Sequence, residues 1–248
     1  MAMQLKIASI NVERSLHLKR VEKFLKYEQP DVLCLQEVCE RDIPFYEDLM
    51  GHKMTYAPMC LHPAEVELQP VGVGLIAWGA MSDITTTYYS KSREEVAEIR
   101  FLTENGHTWT DPESIAEVLI AGTYQGFRIA TTHVGVTSKG VSTPYQQESA
   151  RKLIKLAQAE AEKEGGILLC GDFNAPRGRE TFSMLAKAFV DGIPAHYTSS
   201  IDGSLHRAGP IPLMVDGLFH TPSYTLENAT LSTGVSDHCA LSCTLRKA

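Results

Sequence analysis

Six short apolar runs in this chain end alike, each on a polar residue that can hold a cation, an anion or a proton. Asn11 follows "KIASI", Glu37 follows "DVLCLQ", His133 follows "FRIATT", Asp172 and Asn174 follow "ILLCG", Asp216 follows "PLMV", and Asp237 and His238 stand in "GVSDHCAL". Apolar runs of this length, bounded by turn residues, read as buried strands. Residues two apart on a strand share a face, so Asp172 and Asn174 are expected to point the same way.

Each residue alone has an ordinary explanation. Asn11 and Glu37 can cap helices, His133 can be a satisfied half-buried histidine, and Asp216 or an Asp-x-Asn triplet can serve a turn. Together they form an oxygen-rich set with two imidazoles and no serine or cysteine obviously paired to a base, which is the signature of metal-assisted hydrolysis. Oxygen donors with few histidines and no thiolates suit magnesium or manganese better than zinc. Magnesium in turn points to phosphate chemistry.

Strands and helices are mixed along the whole chain. Helices are expected at Leu16–Tyr27, Ile43–Met50, Pro144–Lys163 (with Thr143 as cap and Gly165-Gly166 as the stop) and Thr181–Phe189. Strands are expected at Leu5–Ile10, Val32–Gln36, Val73–Trp78, Ile84–Tyr89, Ser114–Thr123, Phe127–His133, Ile167–Cys170, Leu213–Phe219, Tyr224–Leu231 and Ala240–Leu245. The strands between residues 73 and 133 follow one another without helices, which fits two packed mixed sheets covered by helices and not a parallel barrel. One domain over residues 1–248 is expected, with Lys91–Pro112 as a long loop.

At 248 residues and 44% hydrophobic residues the chain can bury a substantial core. The longest apolar run, Val71–Met81, is too short for a bilayer span of about 20 residues, and no secretory signal opens the chain. An intracellular, cytoplasmic monomer without a membrane partner is expected. The six cysteines show no Cys-x-x-Cys pair and are expected to be reduced. A net charge of −7 argues against a surface coated in basic residues for nonspecific nucleic-acid binding, but leaves room for a local basic groove.

"INVERS", "PDVLCLQEV", "TTHV", "CGDFNAP", "VDGLF" and "GVSDHCAL", in this order from about Lys6 to Leu245, resemble the endonuclease/exonuclease/phosphatase superfamily, which includes deoxyribonuclease I and the exonuclease III type of repair nuclease. The resemblance implies an α/β fold, a four-layer α/β/β/α sandwich of two mixed sheets flanked by helices, with the site at one rim. It implies that Glu37 is the principal metal-binding carboxylate, that Asn11 lies beside it, that Asp237 is a further metal or water ligand, and that Glu13 lies near the metal. It implies that Asp172 and Asn174 position and activate water and hold the phosphate, that His238 binds phosphate or shares the proton work, and that Asp216 fixes the His238 tautomer. His133 stands where abasic-site nucleases of the exonuclease III type generally carry tyrosine, which weighs against that subclass.

Arg177 and Arg207, with Arg179 and His206 beside them, are candidates for contacts to flanking phosphates. Phe101 and Trp109 can stack bases if the long loop covers the site, or can anchor that loop to the core. These features point to a magnesium-dependent phosphodiesterase, in the first place a nuclease acting on DNA or RNA. The alternative, favoured by the acidic balance, is a phosphatase or phosphodiesterase for a small or lipid-linked phosphate. A noncatalytic binding module of the same fold would be expected to have lost residues such as Glu37 or His238.

Overall fold

The computed structural model describes residues 3–63, 67–104 and 107–248. Period-two alternation does most of the building. Along β1 (Gln4–Asn11), Leu5 and Ile7 face one way while Ala8 and Ile10 face the other. Along β2 (Val32–Cys39), Val32 and Cys34 alternate in the same manner with Leu33 and Leu35. Both faces are apolar, so both must be covered.

β1 and β2 run parallel, and with β3 (Thr55–Pro63), β4 (Leu68–Ala77), β13 (Tyr224–Ser232) and β14 (Ala240–Lys247) they form a six-stranded sheet in the order β13-β14-β1-β2-β4-β3. A second six-stranded sheet is built from β5 (Ser82–Tyr88), β8 (Val118–Tyr124), β9 (Phe127–His133), β10 (Leu168–Asp172), β11 (Val190–Asp191) and β12 (Asp216–His220), in the order β11-β12-β10-β9-β8-β5. The inner faces pack together: Ile7, Cys34, Val73 and Leu75 from the first sheet join Ile120, Ile129, Leu168 and Cys170 from the second in one cluster.

Helices α1 (Leu18–Glu28) and α2 (Ile43–Met50) lay Val21, Phe24, Tyr46 and Met50 on the outer face of the first sheet. Helices α3 (Pro144–Glu162) and α4 (Glu180–Ala188) lay Leu153, Ala157, Phe182 and Leu185 on the outer face of the second. The result is the expected four-layer sandwich. Thr143 caps α3 by accepting the Gln146 N–H. The six cysteines are all buried and unpaired, and among the described residues no helix is long and apolar enough to cross a membrane.

The differences from the sequence reading have local causes. β3 escapes a search for alternation because prolines and a histidine interrupt it; it survives as an edge strand, where Pro58 removes no essential ladder bond. The segment Lys91–Pro112 is not a bare loop. It carries a hairpin of β6 (Phe101–Glu104) and β7 (His107–Thr110). The strand expected from Ser114 begins at Val118, after a 3-10 turn over Pro112–Ser114. The strand expected from Leu213 begins at Asp216, because the carbonyls of Met214 and Val215 accept from the loop amides of Arg177 and Phe173.

Candidate active site

The alternation that builds the inter-sheet core also delivers the polar strand ends. In β10, Leu168 and Cys170 face inward, so Asp172 does too. The same count puts Asn11 on the inward face of β1 behind Leu5 and Ile7, and His133 on that of β9 behind Ile129. Pairing then aligns them. Asp172 is the register partner of His133 on one side and of Asp216 on the other. Gly171 allows this close approach, since a Cβ at that position would collide with the Thr132 carbonyl.

Glu37 reaches the rim by a different device. Alternation alone would send it outward with Leu33 and Leu35, but the β2–β4 register shifts between Leu35 and Val38, and Glu37 adopts a left-handed backbone with φ 56°. This irregularity re-aims the carboxylate. Glu13 (φ 45°), Arg14 (φ 62°) and Asn174 (φ 48°) share the left-handed conformation and line the same cavity. Among the described residues, Gln29, Asp83, Gln125 and Asn228 also adopt positive φ but do not line the cavity.

The side chains form one network across the two sheets. Asn11 Nδ2 donates to Glu37 Oε1 at 3.2 Å and to Asp172 Oδ2 at 3.1 Å. His238 Nδ1 donates to Asp216 Oδ2 at 2.7 Å, while its Nε2 stands 3.8 Å from Asp172 Oδ2. His133 Nε2 is 3.5 Å from the same Asp172 oxygen. Asn174 does not continue the strand as expected: β10 stops at Asp172, whose Oδ1 accepts the Asn174 N–H at 2.9 Å in a local turn. Its side-chain amide nevertheless reaches the Val134 carbonyl at 2.8 Å and His133 Nε2 at 3.1 Å. Turn device and site residue are here the same triplet.

Electrostatics separates the two acids that touch Asn11. Burial pushes the Asp172 carboxyl up, and neighbouring Asp216 adds to this against the pull of His238 and His133. Burial would likewise raise Glu37, but Arg14, then His133 and the Asn11 amide, bring it below its ordinary value. For His238, burial opposes the charge, yet Asp216 and Asp172 overrule it and hold the imidazole well above its usual value. Asp237 is pushed up to about 6 by burial, with Glu37 and Glu13 adding and His238 opposing. The rim therefore presents a proton-accepting carboxylate, a protonated imidazole and a wall of crowded acids.

That wall fits a hard cation. Glu13, His17 and Asp237 offer ligand atoms within 4.8 Å of one another, and Asp172, Asp216 and His238 form a second such group. Asp237 is raised first by burial and then by Glu37 and Glu13 beside it, and a divalent ion would relieve both. The network opens on a cavity of about 450 Å³ whose lining also includes the apolar and aromatic residues Met59, Phe101, Trp109, Ile115 and Leu213.

Two of the expected cations are corrected. The Arg177 guanidinium does not reach the cavity; it donates to the carbonyls of Ile193 (2.9 Å) and Tyr197 (3.1 Å) and pairs with Asp191 (2.8 Å). Its role is to pin the loop after β11. Arg179 is likewise turned to a carbonyl, that of Lys139. Arg207 and His206 do line the cavity.

Several residues beyond the expected set complete the site. Arg14 donates to Glu37 Oε2 at 2.8 Å, and His17 Nε2 lies 2.9 Å from Glu13 Oε2. Buried Gln36 ties the sheets beneath the rim by donating to Thr131 Oγ1 at 3.0 Å. Segment 200–202 clips the His238–Asp216 pair together. Ser200 Oγ accepts the N–H groups of Val215 and Asp216, its carbonyl accepts from Cys239, and the Asp202 N–H donates to the Asp237 carbonyl.

A four-layer sandwich whose rim joins carboxylates to paired imidazoles defines a hydrolase of phosphate esters. A family model described as "Endonuclease/Exonuclease/phosphatase family" matches residues 8–238, and the chain belongs to that family. No curated protein matches the sequence. Among solved structures, an endonuclease/exonuclease/phosphatase from Bacteroides vulgatus superposes with a TM-score of 0.71 at 15% identity, covering 99% of this chain and 100% of that one. The human Nocturnin catalytic domain with bound sulfate anion gives 0.68 at 18% identity, covering 99% and 94%. A 3′ phosphatase from Neisseria bound to product DNA hairpin gives 0.68 at 17% identity, covering 96% and 98%. At these identities the likeness is one of fold.

Proposed function

We propose that this chain hydrolyses phosphate esters with the help of Mg²⁺ or Mn²⁺, and that it acts at the end of a nucleic-acid strand or on a nucleotide. The observation that carries the reading is the meeting of Asp172, His133 and His238 with Glu13, Glu37 and Asp237 around one cavity of about 450 Å³, with Asp216 behind His238. A space of this size accommodates one compact organic group bearing a phosphate.

Glu37, Asp237 and Glu13 would hold the cation, with Asn11 beside them. When bound, it supplies the positive charge that offsets the charge developing on the nonbridging oxygens. Asp172, its proton affinity raised, takes the proton of the attacking water. Asn174 and His133 orient that water and the phosphate. Protonated His238 donates from Nε2 to a phosphate oxygen, while Asp216 holds its Nδ1–H. Phe101 and Trp109 offer faces for a base.

A second reading, a phosphatase for a small organic phosphate, is favoured by the net charge of −7 and by Arg177 being engaged elsewhere. The test is phosphate release and strand cleavage by the purified protein, with Mg²⁺, Mn²⁺ or EDTA, on 3′-phosphorylated and unphosphorylated oligonucleotides, free nucleotides and a sugar phosphate. Turnover of the oligonucleotides or nucleotides is expected. Turnover of the sugar phosphate alone would replace the first reading by the second, and inactivity on all with every ion would overturn both.

A further inference from the structure

Arg14 is the cation that pairs with Glu37, the carboxylate proposed above to hold the metal. Its Nη1 donates to Glu37 Oε2 at 2.8 Å and its Nη2 stands 3.5 Å from Glu13 Oε1. The backbone holds it there: Arg14 sits in the left-handed region, directly after a second left-handed residue, and its N–H donates to the Glu37 carbonyl at 3.1 Å. A strained two-residue turn is an expensive way to make a surface ion pair, and strain of this kind gathers at working sites. The side chain keeps 27% of its surface exposed, and it borders the cavity.

We infer that Arg14 is a phosphate-binding residue of the active site which, in the ion-free protein, occupies Glu37 in place of the cation and moves to the substrate phosphate when the ion binds. The inference rests on the metal-dependent reading above. Two positive charges cannot share one carboxylate without repelling each other, so a divalent ion on Glu37 weakens the guanidinium's hold there. The guanidinium is planar, permanently charged and forked, and a phosphate answers it with two oxygens. Once Glu37 is taken, a phosphate entering beside His238 offers the guanidinium a new acceptor within the same cavity.

An ordinary structural ion pair and this arrangement make opposite predictions for Arg14→Gln. If Arg14 competes with the ion, removing its charge tightens ion binding; if it also holds phosphate, the same change weakens phosphate binding. The experiment uses the full-length protein stripped with EDTA, as wild type, R14Q and R14K, with Mn²⁺ binding followed by electron paramagnetic resonance. Binding of inorganic phosphate at saturating Mn²⁺ is followed by calorimetry, and circular dichroism verifies folding.

For R14Q the Mn²⁺ Kd is expected to fall by about three- to tenfold, as removal of a partly exposed competing charge allows. Its phosphate Kd is expected to rise by about tenfold or more, the scale of a lost charge-assisted pair. R14K, which keeps the charge but not the fork, is expected to bind Mn²⁺ like wild type and phosphate with intermediate strength. Unchanged or weaker Mn²⁺ binding in folded R14Q, or unchanged phosphate binding, overturns the inference while leaving the metal-dependent reading intact. Should R14Q not fold, R14K decides: wild-type phosphate affinity in it overturns the inference. Absence of Mn²⁺ binding by wild type overturns the metal-dependent reading and this inference with it.

Discussion

Asp216→Asn isolates one hydrogen bond. In the native protein His238 Nδ1 donates to Asp216 Oδ2 at 2.7 Å, and both side chains are buried. A buried hydrogen bond to a charged group contributes about 1.5–3 kcal/mol. At about 1.36 kcal/mol per decade of rate, D216N is expected to lower kcat by about one to two decades if the imidazolium is needed in the transition state. The pH dependence carries a sign. Burial opposes the charge on His238, and Asp216 is the largest influence lifting it above its ordinary value. Without that carboxylate the imidazole loses its proton at lower pH, so the alkaline limb of the kcat profile moves toward acid. The same raised affinity stabilises the fold below the unfolded histidine value, near about 6.5, and this stabilisation is lost as pH rises through the folded value. The drop in Tm between wild type and D216N is therefore expected to be larger near about pH 6 than in alkaline solution. Phosphate-release rates and thermal melts across pH measure both effects. A D216N protein with wild-type kcat and an unshifted profile would refute the role assigned to the pair.

Glu37→Gln is expected to raise the Mg²⁺ or Mn²⁺ concentration for half-maximal activity by at least about tenfold, the cost even an outer-shell change carries, as read from metal titrations of activity. Arg177→Ala is expected to cost about 1–3 kcal/mol by leaving the Ile193 and Tyr197 carbonyls and Asp191 Oδ2 without the guanidinium, with KM unchanged; a raised KM without a lower Tm would restore Arg177 to substrate binding. Glu117 is buried, and burial raises its carboxyl against hydrogen bonds from Ser149 and from the Gly135 N–H. Its stabilising contribution is complete below the unfolded value of 4.5 and is lost as pH rises through the folded one. Glu117→Gln is thus expected to gain Tm relative to wild type on going from about pH 4 to about pH 8, and a gain confined to acid would contradict the sign.

The fold was legible where local pattern and tertiary demand agree. Val32 to Leu35 alternate between two buried faces, and α3 opens on a Thr-Pro cap, so both are readable from the neighbours of each residue. β3 was not, because an edge strand needs one good face only and tolerates Pro58. The β6–β7 hairpin was not, since its short strands carry too few residues to show a period.

The site divides along the same line. Asn11, His133, Asp172 and Asp216 are the next positions in alternating strands whose apolar residues fill the inter-sheet core, so their inward direction was written in the chain. Glu37 keeps company with them only through a register shift, an irregularity set by pairing with a strand some forty residues away. Arg177 shows the reverse: its proximity to Asp172 in sequence suggested a substrate contact, but the nearest unpaired acceptors belonged to residues 191–197.

By itself, then, the order of residues determined the strand faces, the two-sided burial and the acids and imidazoles on offer, because side-chain direction in a strand is a local property with a period of two. Which of those groups meet was decided by tertiary structure. Asp172 lies between His133 and Asp216 through strand pairing, and Arg14 comes to rest on Glu37 through a turn and a bulge that no local period encodes. Contacts across pairs of strands depend on register and chain reversal, and these are properties of the whole sheet.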